Sequence, residues 1–394
     1  MNVGIYVPEL NPEIGGGYTF LHTILDSLSQ YKSSHKFFVF YERAGIKQKN
    51  SAITYVALTK IKIPIPNRFN KPFNYFNRKL SSSQINRFIK KYKIEIIWFP
   101  SAHYQKVNAP FVITVWDLQH RLQPFFPEVS LSGSWEEREK YYSSILPRAA
   151  YVLTGTEAGN QEIIQFYRIP KNRIKLLLHP TPNFALSPHP INVDQSFKAK
   201  IPKNFLFYPA QFWPHKNHIG ILYCLKIIVE KYNIKLSVVF TGSDMGNLSF
   251  VKEKVQELHL EDKVHFLGFV SQAELVYLYK KAFALLYPTF FGPENLPPLE
   301  AFALGCPVIA SNVAGAKEQL GEAALFVNPA NEQEIAQAIN KLWRNKELRA
   351  KFIQKGILRA KKWTSSDYVK GVCDILDEFK PYRRCWSNKI TYKP

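Results

Sequence analysis

Short runs of β-branched and aromatic residues alternate with longer helix-forming stretches along most of this chain, and the whole alternation occurs twice. In the first half the spacing predicts strands at 2–7, 36–41, 53–58, 94–99, 111–115, 151–154 and 174–178. After Leu178 comes His179-Pro-Thr-Pro-Asn-Phe-Ala-Leu-Ser-Pro-His-Pro190, whose four prolines lack amide donors and resist both helix and central strand. The pattern then restarts, with strands predicted at 205–209, 236–241, 264–267, 284–287, 307–310 and 324–327, and helix from about 332 to 380. Strand and helix in strict alternation give parallel α/β architecture, because a parallel pair needs a long crossover. The expectation is two doubly wound domains, 1–180 and 200–380, facing each other across a cleft, followed by a basic tail at 381–394. In such sheets ligands bind beyond the carboxyl ends of the strands, so the loops after strands are where chemistry is sought.

The 394 residues suffice for two cores, and 46% hydrophobic with 21% charged residues is the balance of a packed protein. Charge is the unusual quantity: 52 Lys and Arg against 31 Asp and Glu give +21, an excess that attracts polyanions. The opening Met1–Leu10 has no basic leader or long apolar core and reads as a first strand, and no stretch has the ~18 apolar residues of a membrane span. Cys224, Cys306, Cys373 and Cys385 are scattered without ligand spacing, so a cytoplasmic location with reduced, mostly buried thiols is expected. From Arg43 to Ile94 there are thirteen Lys or Arg and no acidic residue, interleaved with Phe69, Phe73, Tyr75 and Phe76. That composition fits a peripheral face on anionic lipid, and equally an ordinary solvated basic surface. No helix-turn-helix, zinc or aromatic RNA-binding signature is present, so nucleic acid is not an expected partner.

Three stretches could carry chemistry. Gly15-Gly-Gly17 follows the first strand and enters a helix, which lets backbone amides approach a phosphate; a simple tight connection accounts for it equally well. Phe207-Tyr-Pro-Ala-Gln-Phe-Trp-Pro-His-Lys-Asn-His218 lies between the first strand and first helix of the second half, where Lys216 can neutralise a diphosphate as a flexible point charge. Tyr287-Pro-Thr-Phe-Phe-Gly-Pro-Glu-Asn-Leu-Pro-Pro-Leu-Glu300 leads from a strand into an apolar helix that holds Glu300 between Leu299 and Ala301. A carboxylate there needs partners, and a ribose diol supplies two donors to one.

These stretches, with Val264-His-Phe-Leu-Gly-Phe-Val270 and Gly321-Glu-Ala-Ala-Leu-Phe-Val327, resemble the retaining glycosyltransferases of family 4, also called group 1, which have the GT-B fold of two Rossmann-like domains. Ile113-Thr-Val-Trp-Asp-Leu-Gln-His-Arg121 and Phe125-Phe-Pro-Glu128 are similar, more loosely, to a segment such enzymes place in the cleft. The resemblance implies that the first domain binds the acceptor and the second a nucleotide-sugar donor. It implies Lys216 on the diphosphate, Glu300 on the ribose, the backbone of Asn295, Leu296 and Pro297 near the phosphate and sugar, and Gly268, Phe269 and Val270 against the base. Gly16 and Gly17 would complete the phosphate cradle, and Asp117 or His120 would face the sugar and acceptor. Three positions depart from the pattern. Gly292 stands eight before Glu300, where the family has a second glutamate, so the glutamate that would touch the donor sugar is missing or replaced by Glu294. Gln211 stands where many relatives have arginine, and Trp116 where many have histidine, which makes His120 a substitute candidate.

The implied function is hexosyl transfer, mannosyl transfer among its forms, to a saccharide or lipid-linked saccharide in surface polysaccharide or lipopolysaccharide assembly, on the inner face of the plasma membrane. With no Asp-X-Asp in the chain, no metal is expected, and the nucleotide sugar is a co-substrate rather than a cofactor. Retention without a placed nucleophile implies stabilisation of the departing diphosphate, with Lys216 foremost. Rival readings on the same fold are a nucleotide-sugar epimerase and a glycosyl phosphorylase, and a basic nucleic-acid-binding protein is the non-enzymatic rival.

Overall fold

A computed structural model of the chain describes residues 1–9, 15–42, 53–59, 70–188 and 192–387, with the side chains of 70–79 left aside. The first lobe has seven strands, β1 Asn2–Val7, β2 Lys36–Tyr41, β3 Ile53–Ala57, β4 Ile96–Phe99, β5 Phe111–Thr114, β6 Tyr151–Thr154 and β7 Ile174–Leu176. They form one sheet in the order β3-β2-β1-β4-β5-β6-β7, all neighbours parallel. The second lobe has β8 Phe205–Pro209, β9 Ser237–Thr241, β10 Val264–Phe266, β11 Ala284–Tyr287, β12 Val308–Ser311 and β13 Ala324–Val327, ordered β10-β9-β8-β11-β12-β13 and again parallel. Each expected strand exists. The central ones are buried on both faces, as the continuous apolar runs Ile96–Phe99 and Ala284–Tyr287 require.

The two sheets share one winding scheme. Strand order reverses beside the first strand of each lobe, between β1 and β4 and between β8 and β11, which opens a crevice beyond their carboxyl ends. The loops after β1, β5, β8, β9 and β11 all reach the space between the lobes.

One boundary differs from the expectation. The helix Ser365–Arg383, expected to close the second domain, packs in the core of the first: Tyr368, Val369, Val372, Cys373, Ile375, Leu376 and Phe379 are buried with Phe20, Leu21 and Ile24 of the helix Gly16–Gln30 and with Trp98 of β4. Burying such apolar side chains contributes about 1.5–3 kcal/mol each for the larger ones, and the first sheet is where that face fits. The chain therefore crosses between lobes twice, and the two crossings are stitched together. Thr181 donates from its backbone N–H to Trp363 O and from its hydroxyl to Ala360 O, while Trp363 Nε1 donates to Leu178 O at 2.7 Å.

The tail also starts later than expected, because the helix runs through Pro381 and Trp386 packs on Phe379 beneath the Arg383 guanidinium. Residues 388–394 lie outside the described residues, as does much of the basic stretch 43–94, namely 43–52, 60–69 and the side chains of 70–79. Cys224, Cys306 and Cys373 are buried free thiols, and Cys385 is an exposed one. Among the described residues no helix is long and apolar enough to cross a membrane.

Candidate functional site

Between the lobes lies a cavity of about 560 Å³, lined from both sides. From the second lobe come Gln211, Lys216, Phe269, Val270, Glu294, Asn295, Leu296, Pro297 and Glu300, and from the first Gly16, Gly17 and Asp117. Two expected residues are absent from this lining, His120 and Gly268.

Lys216 ends a 3-10 turn, Pro214–Lys216, between β8 and the helix His218–Glu230. Asn217 fixes that turn: its backbone is left-handed (φ 57°), its side chain caps Gly220 N–H, and its amide donates to Pro288 O and Pro329 O. The Lys216 ammonium donates to the Tyr287 hydroxyl at 3.3 Å. Burial draws its pKa down to about 8, with Asp117 and Glu128 opposing the fall, so it is still mostly a cation at neutral pH.

Glu300 is buried in the helix Leu296–Ala303, whose first turn carries Pro297 and Pro298 where no amide donor is needed. The partner that its apolar setting demands is Tyr279, whose hydroxyl donates to Oε2 at 2.7 Å. Burial raises the carboxyl to about 7 against the effect of that hydrogen bond.

Gly15 (φ 80°) turns the chain into the helix Gly16–Gln30, and Gly17 sits where a side chain would crowd its neighbour. A Cβ on Gly17 would sit 3.1 Å from the Trp116 ring, and one on Gly16 would reach Leu296 of the other lobe. After β9, Gly242 passes so close to Ala210 that a Cβ would lie 2.4 Å from its carbonyl oxygen. Gly268 serves the same turn by accepting from Gly242 N–H at 2.9 Å, which explains why it sits behind the lining while Phe269 and Val270 form it.

Asp117, after β5, is held by Arg138, whose Nη2 donates to Oδ1 at 2.5 Å, and by Gln119 N–H at 3.0 Å. Burial opposes ionisation here most strongly, but the Arg138 charge and the hydrogen bonds from Gln119 N–H and Arg138 together outweigh it and keep the carboxyl below its ordinary value. His120, the substitute candidate for the histidine that Trp116 replaces, is instead a core residue. It is fully buried, stacked on Tyr142, and its Nε2 pairs with Tyr167 and Glu139. Asp117 precedes the helical turn Gln119–Leu122 and lines the cavity, whereas His120 lies within the turn and is buried, so proximity in sequence does not bring both to the cavity.

Glu294 is likewise redirected. It lines the cavity, but its side chain is only 3% exposed and packs against Gly155, after β6, where a Cβ would collide with Oε2. Its Oε1 accepts from His179 N–H at 2.5 Å. Burial raises this carboxyl to about 8, the His179 hydrogen bond lowering it and the Glu318 charge raising it. A mostly protonated acid turned into the lobe junction is a poor partner for a sugar.

Other lining residues were not anticipated: Arg138, His179, Thr241, Gly242, Ser243 and Tyr287. The Thr-Gly-Ser run after β9 carried the strand-then-glycine signal that could have found it; Arg138, mid-helix and 21 residues from Asp117, carried none. Three ties hold the lobes around the cavity. Glu128 accepts from both His215 N–H and His215 Nδ1, Gln123 donates to Phe290 O at 2.9 Å, and Glu318 accepts from Glu157 N–H and Ala158 N–H at the start of the helix Glu157–Tyr167.

Two doubly wound parallel sheets closing on one cavity, with a cation and helix starts directed into it, define the GT-B class of proteins. Within that class, residues 192–359 match the family described as glycosyl transferases group 1, so the chain carries a domain of that family. Over 227 residues it is 29% identical to the O-antigen chain mannosyltransferase RfbU of Salmonella typhimurium, a match covering 57% of this chain and 59% of that relative's length. Similar solved structures include a glycosyltransferase from Rickettsia africae (TM-score 0.69, 18% identity, 96% of this chain and 98% of that one). Another is Anabaena HepE in complex with UDP and glucose (TM-score 0.70, 14% identity, 96% and 100%).

Proposed function

We propose that this protein is a retaining glycosyltransferase that moves a hexose, mannose being the first candidate, from a nucleoside-diphosphate sugar to a saccharide or lipid-linked saccharide acceptor in surface polysaccharide assembly. The observation that carries the reading is that Lys216 and Glu300, expected on diphosphate and ribose, line one cavity together with the glycine turn of the opposite lobe. The mannosyl choice draws on the similarity to RfbU, a mannosyltransferase of the O-antigen chain.

The geometry supports a leaving-group mechanism. Lys216, the backbone amides that open the helix Gly16–Gln30 and the Leu296 N–H that opens the helix Leu296–Ala303 lie around the space for a diphosphate. As charge grows on the departing diphosphate these donors bind it more strongly than in the ground state, which lowers the barrier. The four carboxylates of the lining are each engaged by the protein: Asp117 by Arg138, Glu128 by His215, Glu294 by His179 and Glu300 by Tyr279. That arrangement favours attack of the acceptor hydroxyl on the face the diphosphate leaves over a double displacement through a free carboxylate. Turnover is proposed to be independent of divalent metal, and unchanged rates in EDTA check this.

A thermal-shift screen of nucleoside diphosphates and their sugars tests the whole reading. A ligand at 100 times its Kd should stabilise by about 2.7 kcal/mol, and the best binder should then be consumed only when a saccharide acceptor is supplied. Consumption without an acceptor, returning an altered donor sugar, would identify an epimerase instead. The basic stretch 43–94 supports a position on the anionic inner face of the plasma membrane, and salt-sensitive flotation with anionic but not neutral liposomes is the expected outcome.

A further inference from the structure

The two second-lobe loops that flank the cavity are joined by a single chain of hydrogen bonds. Lys216 Nζ donates to the Tyr287 hydroxyl at 3.3 Å, and that hydroxyl donates to Asn295 Oδ1 at 3.1 Å. Asn295 Nδ2 donates in turn to Gly292 O at 2.8 Å, and Asn295 N–H to Gln319 Oε1 at 2.9 Å. A phenol has one proton; having given it to Asn295, Tyr287 can offer Lys216 only a lone pair, which fixes the polarity of the chain. The ring itself is packed in place. Tyr287 ends β11, is 4% exposed, and meets the Tyr208 ring edge-on at 5.3 Å. The ammonium also lies 5.4 Å from the Tyr287 ring centroid. Among the described residues no carboxylate forms a salt bridge with Lys216, so a neutral hydroxyl is what steers this flexible side chain.

We propose that Tyr287 is the positioning residue of the donor site, its hydroxyl holding the Lys216 ammonium and the Asn295 turn at the one separation that receives a nucleoside diphosphate between them. This rests on the glycosyltransferase reading above. A lysine held in place gives up less side-chain freedom when the ligand arrives, and the Asn295 turn sets the Leu296 N–H that opens the helix Leu296–Ala303. Tyr287 would act through Lys216 and Asn295 rather than on the reacting atoms.

The test compares wild type with Tyr287→Phe, which keeps the ring and its packing and removes only the hydroxyl. Calorimetric titration with UDP, GDP, ADP and dTDP is run from pH 6 to 9. Wild type is expected to bind at least one of them, and Tyr287→Phe to bind the same one about tenfold more weakly, as for loss of one hydrogen bond to a charged group. A second readout separates positioning from packing. The Lys216 ammonium, with Asp117 and Glu128 facing it from the first lobe, His215 in its own turn and His218 at the start of the next helix, also loses an acceptor that favours its charged form. The alkaline limb of binding should therefore move to lower pH in the variant.

Affinity within about twofold of wild type and an unmoved alkaline limb would overturn the proposal. If Tyr287→Phe does not fold, Asn295→Leu cuts the chain one link further on; about threefold weaker binding is expected and unchanged binding would likewise overturn it. Wild type binding none of the four diphosphates would remove instead the reading on which the proposal rests.

Discussion

The two walls of the cavity are built on the same winding scheme but by different means. The second-lobe wall is local: Lys216 sits seven residues beyond the end of β8, Glu300 in the helix that follows β11, and Tyr287 and Asn295 lie between them. The first-lobe wall is assembled from afar. Its Asp117 depends on Arg138 from the helix Ser134–Ile145, and its glycine turn is closed by Trp116 from the loop after β5. Behind it, the helix Ser365–Arg383 arrives from the far end of the chain to complete the core beneath Phe20. A wall made within two strand–loop–helix units can be read as a motif, whereas one made across the sequence exists only once the chain has folded.

The largest expected effect falls on the local wall. Lys216→Ala should lower turnover of the donor by about 10² to 10³, the usual size for removing one preorganised donor to a developing anion. Steady-state rates at saturating donor measure it, and full activity would remove the second lobe's claim to the chemistry.

The junction between the walls is probed next. Glu294 has a folded value near 8 against an ordinary 4.5, so the folded protein keeps a proton that the unfolded chain releases. Its cost to stability is absent below about pH 4.5 and grows as pH rises toward 8. Glu294→Gln retains an acceptor for His179 N–H without the titration. It should be more stable than wild type by about 2–4 kcal/mol at pH 8, with little gain at pH 5, in denaturant titrations at both. An equal difference at the two pH values would show that Glu294 is not a buried acid linking the lobes.

Glu300 gives a smaller signal of opposite kind. Since its carboxyl titrates near 7, donor affinity should rise as pH climbs through neutrality and the ionised form becomes available to the ribose. Glu300→Gln should flatten that rise and weaken binding about tenfold. Calorimetry with the best nucleoside diphosphate across pH 6 to 8 reads both, and an unaltered pH profile would put the ribose elsewhere. The smallest effect is expected at His120. Because it is sealed behind Asp117, His120→Phe should leave kcat/KM within about twofold while altering the melting temperature. A large loss of turnover would return the residue to the site and make the first-lobe wall more local than its fold implies.

Tyr287, His120 and Glu294 mark where reading along the chain succeeds and where it stops. Tyr287 stood in view as the end of a strand, but only its approach to Lys216, 71 positions earlier, gives its hydroxyl a partner. His120 stands as a substitute candidate because Trp116 occupies the place where many relatives have histidine, yet its ring is stacked on Tyr142 in the core while Asp117 lines the cavity. Glu294 looked like the missing sugar ligand because it is two positions from Gly292. Gly155 of the other lobe leaves the space that draws it inward.

By itself the sequence determined thirteen parallel strands, two sheets, the break between them and the short stretches bearing Lys216 and Glu300. Hydrophobic period, proline and glycine are local signals, and backbone geometry responds to them within a few residues. Only the tertiary structure decided that the last helix belongs to the first lobe, that Arg138 holds Asp117, and which acids face the cavity and which face the junction. Those outcomes depend on which buried surface accepts an apolar face and where a desolvated charge finds a partner, and both are properties of the folded whole.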